Sequence, residues 1–265
     1  MALSQLEPQL IWKNFSALNA VPRPSKKEEK VIEFIKNFGE NLGLETTVDE
    51  VGNVIIKKPA TAGMEDRKSV VLQSHLDMVH QKNNDVNFDF DTQGIQMEID
   101  GDWVKAKGTT LGADNGLGVA SIMSILESND IPHPALEALF TIDEETGMTG
   151  AMGLKPGQLN GEILLNLDTE EDDEIDIGCA GGIDVTATQN YGLEDARGQI
   201  VKIEVKGLQG GHSGMDIIKG FGNSNVILGR LLYTGLYNQN IQLISIDGGG
   251  LRNAIPREAN AVLSV

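Results

Sequence analysis

Apolar segments typical of buried strands alternate with helical patterns from residue 26 to residue 168 of this 265-residue chain. The predicted strands cover residues 46–57, 69–77, 135–142 and 162–168, and the predicted helices cover residues 26–42 and 117–127. Strands that are connected through helices pair in parallel, because the crossover returns the chain to the same end of the sheet. The pattern therefore predicts an α/β fold with a mostly parallel sheet.

The pattern changes near the CAGGID segment at residues 179–184. Beyond it, strands are predicted at residues 184–190, 200–206 and 241–247, a helix at 223–237, and an alternating apolar segment at 259–265. This order predicts an α+β two-layer sandwich. We therefore divide the chain into two domains, residues 1–182 and residues 183–265. Because the sequence ends within an apolar strand pattern, both domains are expected to be incomplete at the C-terminus.

Two S-x-x-E sequences predict helix starts. In this capping box, the serine hydroxyl and the glutamate carboxylate accept hydrogen bonds from backbone amides that have no partner inside the helix. The pairs are Ser4 with Glu7 and Ser25 with Glu28. Each pair precedes an apolar run with helical spacing, so we expect both serines to be N-caps.

Composition argues against several classes of protein. The chain has 39 acidic and 21 basic residues and a formal net charge of −18, so its surface repels phosphate backbones and anionic bilayers. Its single cysteine cannot form an intramolecular disulfide, and its first residues do not have the pattern of a secretory leader. The sequence thus predicts a cytoplasmic protein that binds neither nucleic acid nor membranes.

Histidine and acidic residues stand at four strand or turn ends of the first domain. They are His75 with Asp77, Asp114, Glu144 with Glu145, and Asp168. Each alone also fits a commoner role, such as a helix cap, a structural hydrogen bond or a solvated acid. We expect these residues to meet at one edge of the sheet. A group of one histidine and several carboxylates favours Zn²⁺, with Mn²⁺ or Co²⁺ as alternatives. We therefore predict a hydrolytic centre with two divalent metal ions.

The adjacent acids Glu144 and Glu145 offer two functions to such a centre. One carboxylate can bind a metal ion, while its neighbour takes a proton from the attacking water and passes it to the leaving amine. Asp77 lies two residues beyond His75 on the same face of a strand, so it can hold the second ring nitrogen of this histidine. No serine or cysteine stands in a nucleophile motif.

The sequence resembles the cocatalytic metallopeptidases, a family that includes aminoacylases, glutamate carboxypeptidases and cytosolic dipeptidases. The resemblance covers essentially the whole chain, through LQSHLDMV, VKAKGTTLGADNG, GCAGGID, GLQGGHSG and LRNAIPREA. It implies that one metal ion is bound by His75 and Asp168, that Glu145 binds the second ion, and that Asp114 bridges both. It further implies that Glu144 is the general base, that Asp77 steadies His75, and that a cis peptide follows Asp114.

The same resemblance implies that the second domain is a lid, or dimerisation, domain, which allows a homodimer. His212 of GGHSG would then be a catalytic and substrate-binding residue that donates to the oxyanion, and Asn253 of NAIP would bind the substrate. Without the resemblance, the residues alone favour a turn histidine and a loop-capping asparagine. Family members supply a final histidine ligand after the lid, so this chain is expected to bind metal weakly and to turn over little or no substrate.

The resemblance favours metal-dependent hydrolysis of small dipeptides of the Xaa-His, carnosine-like type. One alternative is an N-acyl-amino-acid deacylase or a carboxypeptidase on the same scaffold. An alternative of another class is a non-catalytic acidic interaction module, in which the acids form only a solvated rim.

Overall fold

The computed structural model describes residues 3–169, 173–175, 177–178, 181, 183, 185–238 and 241–265. The chain forms two compact units, Met1–Cys179 and Ala180–Val265, and each is described by itself. Residues 179, 180, 182 and 184 of the CAGGID segment lie outside the described residues. The strand predicted at residues 184–190 is wrong, because residues 185–190 have no regular secondary structure.

The first unit contains a five-stranded mixed sheet. Its helices are α1 (Gln9–Asn19), α2 (Glu29–Asn41), α3 (Ala113–Glu127) and α4 (Thr149–Gly153). Its strands are β1 (Glu45–Val48), β2 (Val54–Lys58), β3 (Val70–His75), β4 (Met97–Asp100), β5 (Trp103–Ala106), β6 (Leu136–Thr141) and β7 (Ile163–Asn166). The strand order is β1-β2-β6-β3-β7, and β4 with β5 forms a separate hairpin.

Strand direction in this sheet agrees with the sequence prediction. β3 pairs in parallel with both β6 and β7, whereas β2 pairs antiparallel with both β1 and β6. All strands except β2 therefore point the same way, and the predicted α/β fold with a mostly parallel sheet is confirmed.

The sheet is held by apolar packing on its two faces. Val31 of α2, Ile122 of α3 and Phe140 of β6 belong to the main core and are fully buried. A smaller cluster contains Val71 and Leu139. All six residues of β6 are buried, and four of them are apolar, as is typical of a strand covered on both faces. The ends of β3 and β6 are therefore anchored in a close-packed core, whereas β7, which the sequence also predicts as a buried strand, is exposed along its length.

The two predicted capping boxes are wrong. Helix α1 begins after Pro8 and α2 after Glu28, and neither of these N-cap residues makes a side-chain capping hydrogen bond. The Ser25 hydroxyl instead donates to the Asp77 carboxylate at 2.8 Å. The Glu28 carboxylate accepts from the backbone amides of Lys26 at 2.8 Å and Asp143 at 3.2 Å. The Ser25 hydroxyl and the Glu28 carboxylate therefore bind distant groups, Asp77 and the Asp143 amide, rather than the end of α2.

The second unit has two layers. Its elements are β8 (Ile200–Val205), a short 3-10 helix (Ile217–Lys219), α5 (Ser224–Asn238), β9 (Gln242–Gly248) and β10 (Ala259–Ser264). The three strands form an antiparallel sheet in the order β8-β10-β9. Leu228 and Leu232 of α5 pack against Ala261 and Leu263 of β10. Among the described residues, every helix is too short or too polar to cross a lipid bilayer.

Candidate metal centre

The candidate site lies at the carboxyl ends of β6, β3 and β7. Since these three strands are adjacent and parallel, the residues that follow them meet at one edge of the sheet. His75 is the last residue of β3, Glu144 and Glu145 follow β6, and Asp168 follows β7. Asp114 joins them from the first turn of α3.

The imidazole of His75 is the centre of this group. Its Nε2 lies 3.1 Å from Oδ1 of Asp114, and 3.8 Å from both Oε2 of Glu144 and Oδ2 of Asp168. Two overlapping triads, His75-Asp114-Glu145 and His75-Glu144-Asp168, each offer ligand atoms that all lie within 4.8 Å of one another. The structure therefore brings together the residues predicted as metal ligands and the predicted base. Which residue binds which ion stays a prediction.

Asp77 fixes the orientation of His75. Nδ1 of His75 lies 3.1 Å from the backbone carbonyl oxygen of Asp77 and 3.2 Å from its Oδ1. A carbonyl oxygen can only accept, so Nδ1 carries a proton, and Nε2 is the nitrogen that a cation would bind in place of a proton. Burial by itself would lower the pKa of His75, but hydrogen bonds to Asp114 and Asp77 raise it to about 10.

The Asp77 carboxylate also holds the backbone of the acidic doublet. It is fully buried and accepts from the amides of Glu144 at 3.0 Å and Glu145 at 3.2 Å, and from the hydroxyl of Ser25 at 2.8 Å. Burial would raise the pKa of Asp77, but its hydrogen bonds hold the pKa below the ordinary value. One ionised carboxylate thus connects the ends of β3 and β6.

The carboxyl groups that face the pocket repel one another. Burial, together with the charge of Asp114, raises the pKa of Glu145 to about 7. Burial also raises the pKa values of Glu144 and Asp168. Divalent cations would relieve this repulsion, and one imidazole with several carboxylates is a donor set that Zn²⁺, Mn²⁺ and Co²⁺ accept. The residues present therefore fit the metal ions that the sequence predicts.

The turn that carries Asp114 packs tightly against the end of β7. The Asp114–Asn115 peptide bond is cis, as the resemblance implies. The Asn115 amide donates to the backbone carbonyl of Leu167 at 2.9 Å, next to Asp168. A Cβ atom on Gly118 would lie 2.1 Å from Oδ1 of Asn115 and 2.5 Å from the Leu167 carbonyl oxygen. Only glycine therefore fits at this position of α3.

Replacing Gly118 by alanine is expected to lower the free energy of unfolding by about 1–3 kcal/mol, because the added methyl group overpacks the contact between α3 and β7. The matched control is Gly229→Ala in α5, where a Cβ atom would have no neighbour within 4 Å. This control should leave stability unchanged or raise it by about 0.5–1 kcal/mol, as alanine favours helices. Thermal unfolding followed by circular dichroism checks both, and equal stability of the two variants would contradict the packing argument.

Sequence reasoning missed two buried charged residues behind the centre. Arg23 is 1% exposed, and although burial lowers its pKa to about 10, the guanidinium stays charged at neutral pH. Glu28 is 5% exposed and lies with Asp77 and Asp143 in a third group of acids. Lys26 lies 2.8 Å from the Asp143 carboxylate and neutralises part of this charge. Neither Arg23 nor Glu28 belongs to a local motif that indicates burial.

The second unit places His212 and Asn253 on neighbouring segments. His212 forms an isolated antiparallel bridge with Ala254, and the Ser213 amide donates to the Asn253 carbonyl at 2.9 Å. Nδ1 of His212 accepts from the amides of Gly214 at 3.1 Å and Met215 at 3.2 Å. Nε2 is therefore the protonated nitrogen of the neutral imidazole and can donate a hydrogen bond. The functions of both residues stay predictions.

No model of a known protein family matches the sequence. The sequence is 50% identical to the cytosol non-specific dipeptidase of Escherichia coli (strain K12), over 99% of this chain and 55% of that protein. The structure is similar to the crystal structure of aminoacylhistidine dipeptidase from Vibrio alginolyticus, with a TM-score of 0.68 and 46% identity over 99% of this chain and 54% of that one. The chain thus spans about half the length of these relatives.

A wider likeness extends to the structure of aminopeptidase PepT from Bacillus cereus. The TM-score is 0.53 and the identity 19%, over 97% of this chain and 66% of that one. At this identity the likeness supports the fold alone. The resemblance to cytosolic dipeptidases that the sequence motifs indicate is confirmed by the two closer matches.

Proposed function

We propose that the protein containing this sequence is a metal-dependent dipeptidase of the cocatalytic metallopeptidase family, which hydrolyses dipeptides of the Xaa-His type. The observation that carries the proposal is the position of His75 Nε2, which lies 3.1–3.8 Å from carboxylate oxygens of Asp114, Glu144 and Asp168. The names of the Escherichia coli and Vibrio alginolyticus relatives support the choice of dipeptides as substrates.

The proposed centre holds two divalent metal ions, Zn²⁺ or alternatively Mn²⁺ or Co²⁺. His75 and Asp168 would bind one ion, Glu145 the other, and Asp114 both. When bound, such ions lower the pKa of water and stabilise negative charge that develops on a carbonyl oxygen. The buried Nδ1–H bond of His75 to Asp77 supports this assignment, since it directs Nε2 toward the carboxylates.

Glu144 is the proposed general base. Its side chain is 35% exposed, so it is open to a water molecule, and burial raises its pKa toward the range useful for proton transfer at neutral pH. The carboxylate would take a proton from the attacking water and later give it to the leaving amine. The hydrogen bond from its backbone amide to Asp77 supports a fixed position for this carboxylate.

We propose that residues 1–182 form the metal-binding catalytic domain and that residues 183–265 form part of a lid or dimerisation domain. In the lid, Nε2 of His212 would donate to the oxyanion, and the Asn253 amide would bind the carboxylate or the amide of the substrate. The protonation of Nε2 that follows from the contacts of Nδ1 supports this function for His212. We further propose a homodimer through this domain and a cytoplasmic location, which the name of the Escherichia coli relative supports.

A substrate panel tests the proposed function. The protein, expressed from its complete gene, is stripped of metal with a chelator and assayed with and without added Zn²⁺, Mn²⁺ or Co²⁺. We expect metal-dependent hydrolysis of β-alanyl-histidine and of other Xaa-His dipeptides that have a free amine. Preferential hydrolysis of N-acetyl-histidine would instead support a deacylase on the same scaffold. Absence of hydrolysis with every ion and substrate would contradict the proposal.

A further inference from the structure

Arg23 connects two segments that carry residues of the candidate metal centre. Its guanidinium is 1% exposed, and Nη1 donates to the backbone carbonyls of Leu76 and Asp77, both at 3.1 Å. Nη2 donates to the side-chain oxygen of Asn19 at 3.0 Å and to the carbonyl of Gly112. Leu76 and Asp77 directly follow His75, and Gly112 precedes Asp114 by two residues.

We propose that Arg23 is a positioning residue for the metal centre, because its planar guanidinium sets the distance between the end of β3 and the turn that carries Asp114. The inference rests on the proposed function, since it assumes that His75 and Asp114 bind metal ions. The hydrogen bonds by which Arg23 connects these two segments go to backbone carbonyls. Arg23 acts through the backbone of the segments from which the His75 and Asp114 side chains project.

The carbonyl oxygen of Asp77 transmits this effect to the imidazole. It accepts a hydrogen bond from Nη1 of Arg23 and also lies 3.1 Å from Nδ1 of His75. The guanidinium therefore fixes the acceptor that orients the imidazole and keeps the proton on Nδ1. Partners of this kind set the direction in which a histidine presents its free nitrogen to a cation.

The surroundings of Arg23 are shaped to hold its guanidinium. A Cβ atom on Gly112 would lie 2.5 Å from Nη2, and one on Gly116 would lie 2.7 Å from the same atom. Gly112 also has a φ of 70°, which disfavours other residues. The amide of Asn19 supports the arrangement, because it donates to the carbonyl of Leu111 at 3.0 Å.

The substitution Arg23→Lys distinguishes the effect of guanidinium geometry from the effect of positive charge. A lysine retains the buried positive charge, but its single ammonium group cannot reproduce a planar fork that donates to two separate backbone segments. We therefore expect Arg23→Lys to retain the fold and to lose the fixed geometry of the centre. The matched control is Leu126→Ala, a core truncation on α3 that lowers stability at a residue 3% exposed and outside the proposed centre.

The experiment is a Co²⁺ titration of the metal-free protein, expressed from its complete gene, that is followed by visible absorption. For Arg23→Lys we expect a 10- to 100-fold loss of Co²⁺ affinity, as is typical when a partner of a ligand is removed. We also expect a changed absorption band of the bound ion. Leu126→Ala should melt at a lower temperature but bind Co²⁺ with the affinity and spectrum of the wild type.

A second variant keeps the test decisive if Arg23→Lys does not fold. Asn19→Ala removes one acceptor of Nη2 and should weaken Co²⁺ binding several-fold. Wild-type Co²⁺ affinity and spectrum in Arg23→Lys would overturn the inference but not the proposed function. If the lysine variant is unfolded, the same result in Asn19→Ala would do so. An equal loss of affinity in Leu126→Ala would also overturn it, because the effect would then follow general stability. A wild-type protein that binds no Co²⁺ would overturn the proposed function together with the inference.

Discussion

Replacing Glu144 by glutamine lowers kcat for dipeptide hydrolysis by a factor of about 10²–10⁴, which is the usual contribution of a positioned general base. The amide has nearly the shape of the carboxylate but cannot take a proton from water. Because Glu144 is not among the proposed metal ligands, the metal content of the variant should equal that of the wild type. The measurement combines steady-state kinetics on a Xaa-His dipeptide with elemental analysis of the purified protein.

Glu162→Gln is the matched control for this substitution. Glu162 pairs with Lys68 at 3.4 Å, and its side chain is 57% exposed, so its charge should not affect the reaction. The control is expected to have wild-type kinetics. Full activity of Glu144→Gln would refute its function as the base. Loss of metal in this variant would instead indicate that Glu144 is a ligand.

The second large effect is expected for Asp114→Asn. If Asp114 bridges two ions, its replacement by a neutral amide weakens both sites, so bound metal falls from two equivalents to one or fewer. The fold should survive, since the Asp114 side chain is 57% exposed and adds little to the core. The increase in melting temperature that metal ions give the wild type should therefore become smaller or disappear, because binding to the folded state alone is what stabilises it.

Isothermal titration with Zn²⁺ and thermal unfolding with and without the ion measure these changes. The exposed turn residue Asp66 provides the control, and Asp66→Asn should bind metal like the wild type. Retention of two equivalents of Zn²⁺ by Asp114→Asn would exclude the bridging function. Unfolding of Asp114→Asn without metal would show that the carboxylate has a structural function instead.

Local patterns in the sequence predicted much of the sheet and of the candidate site. The apolar runs that became β3, β6 and β7 are short, and the residues that end them are polar; β3 and β6 are largely buried, whereas β7 is exposed along its length. Parallel strands bring such ends to one edge, so the approximate meeting of His75, Glu144 and Asp168 follows from chain order. The sequence therefore contained the elements of the centre, although not their distances.

The polar contacts that Ser25 and Arg23 make next to the metal centre could not be predicted from local sequence patterns. Ser25 looks like an N-cap from its neighbours, yet its hydroxyl binds Asp77, which is 52 residues away. Arg23 belongs to no local motif that indicates burial, yet the backbone carbonyls that accept its hydrogen bonds lie 53 to 89 residues away. A buried charge is stable only when distant groups satisfy it, and no local pattern indicates which groups these are. Long-range polar contacts, rather than strand positions, were the missing information.

The central claim is that the side chains at 75, 114, 145 and 168 hold divalent cations. Anomalous diffraction from crystals grown with Zn²⁺, collected on both sides of the zinc absorption edge, tests this claim most directly. We expect two anomalous peaks roughly 3.5–4 Å apart, both in contact with Asp114, one also with His75 and Asp168, and the other also with Glu145. Peaks only at other positions, or none at saturating Zn²⁺, would contradict the claim.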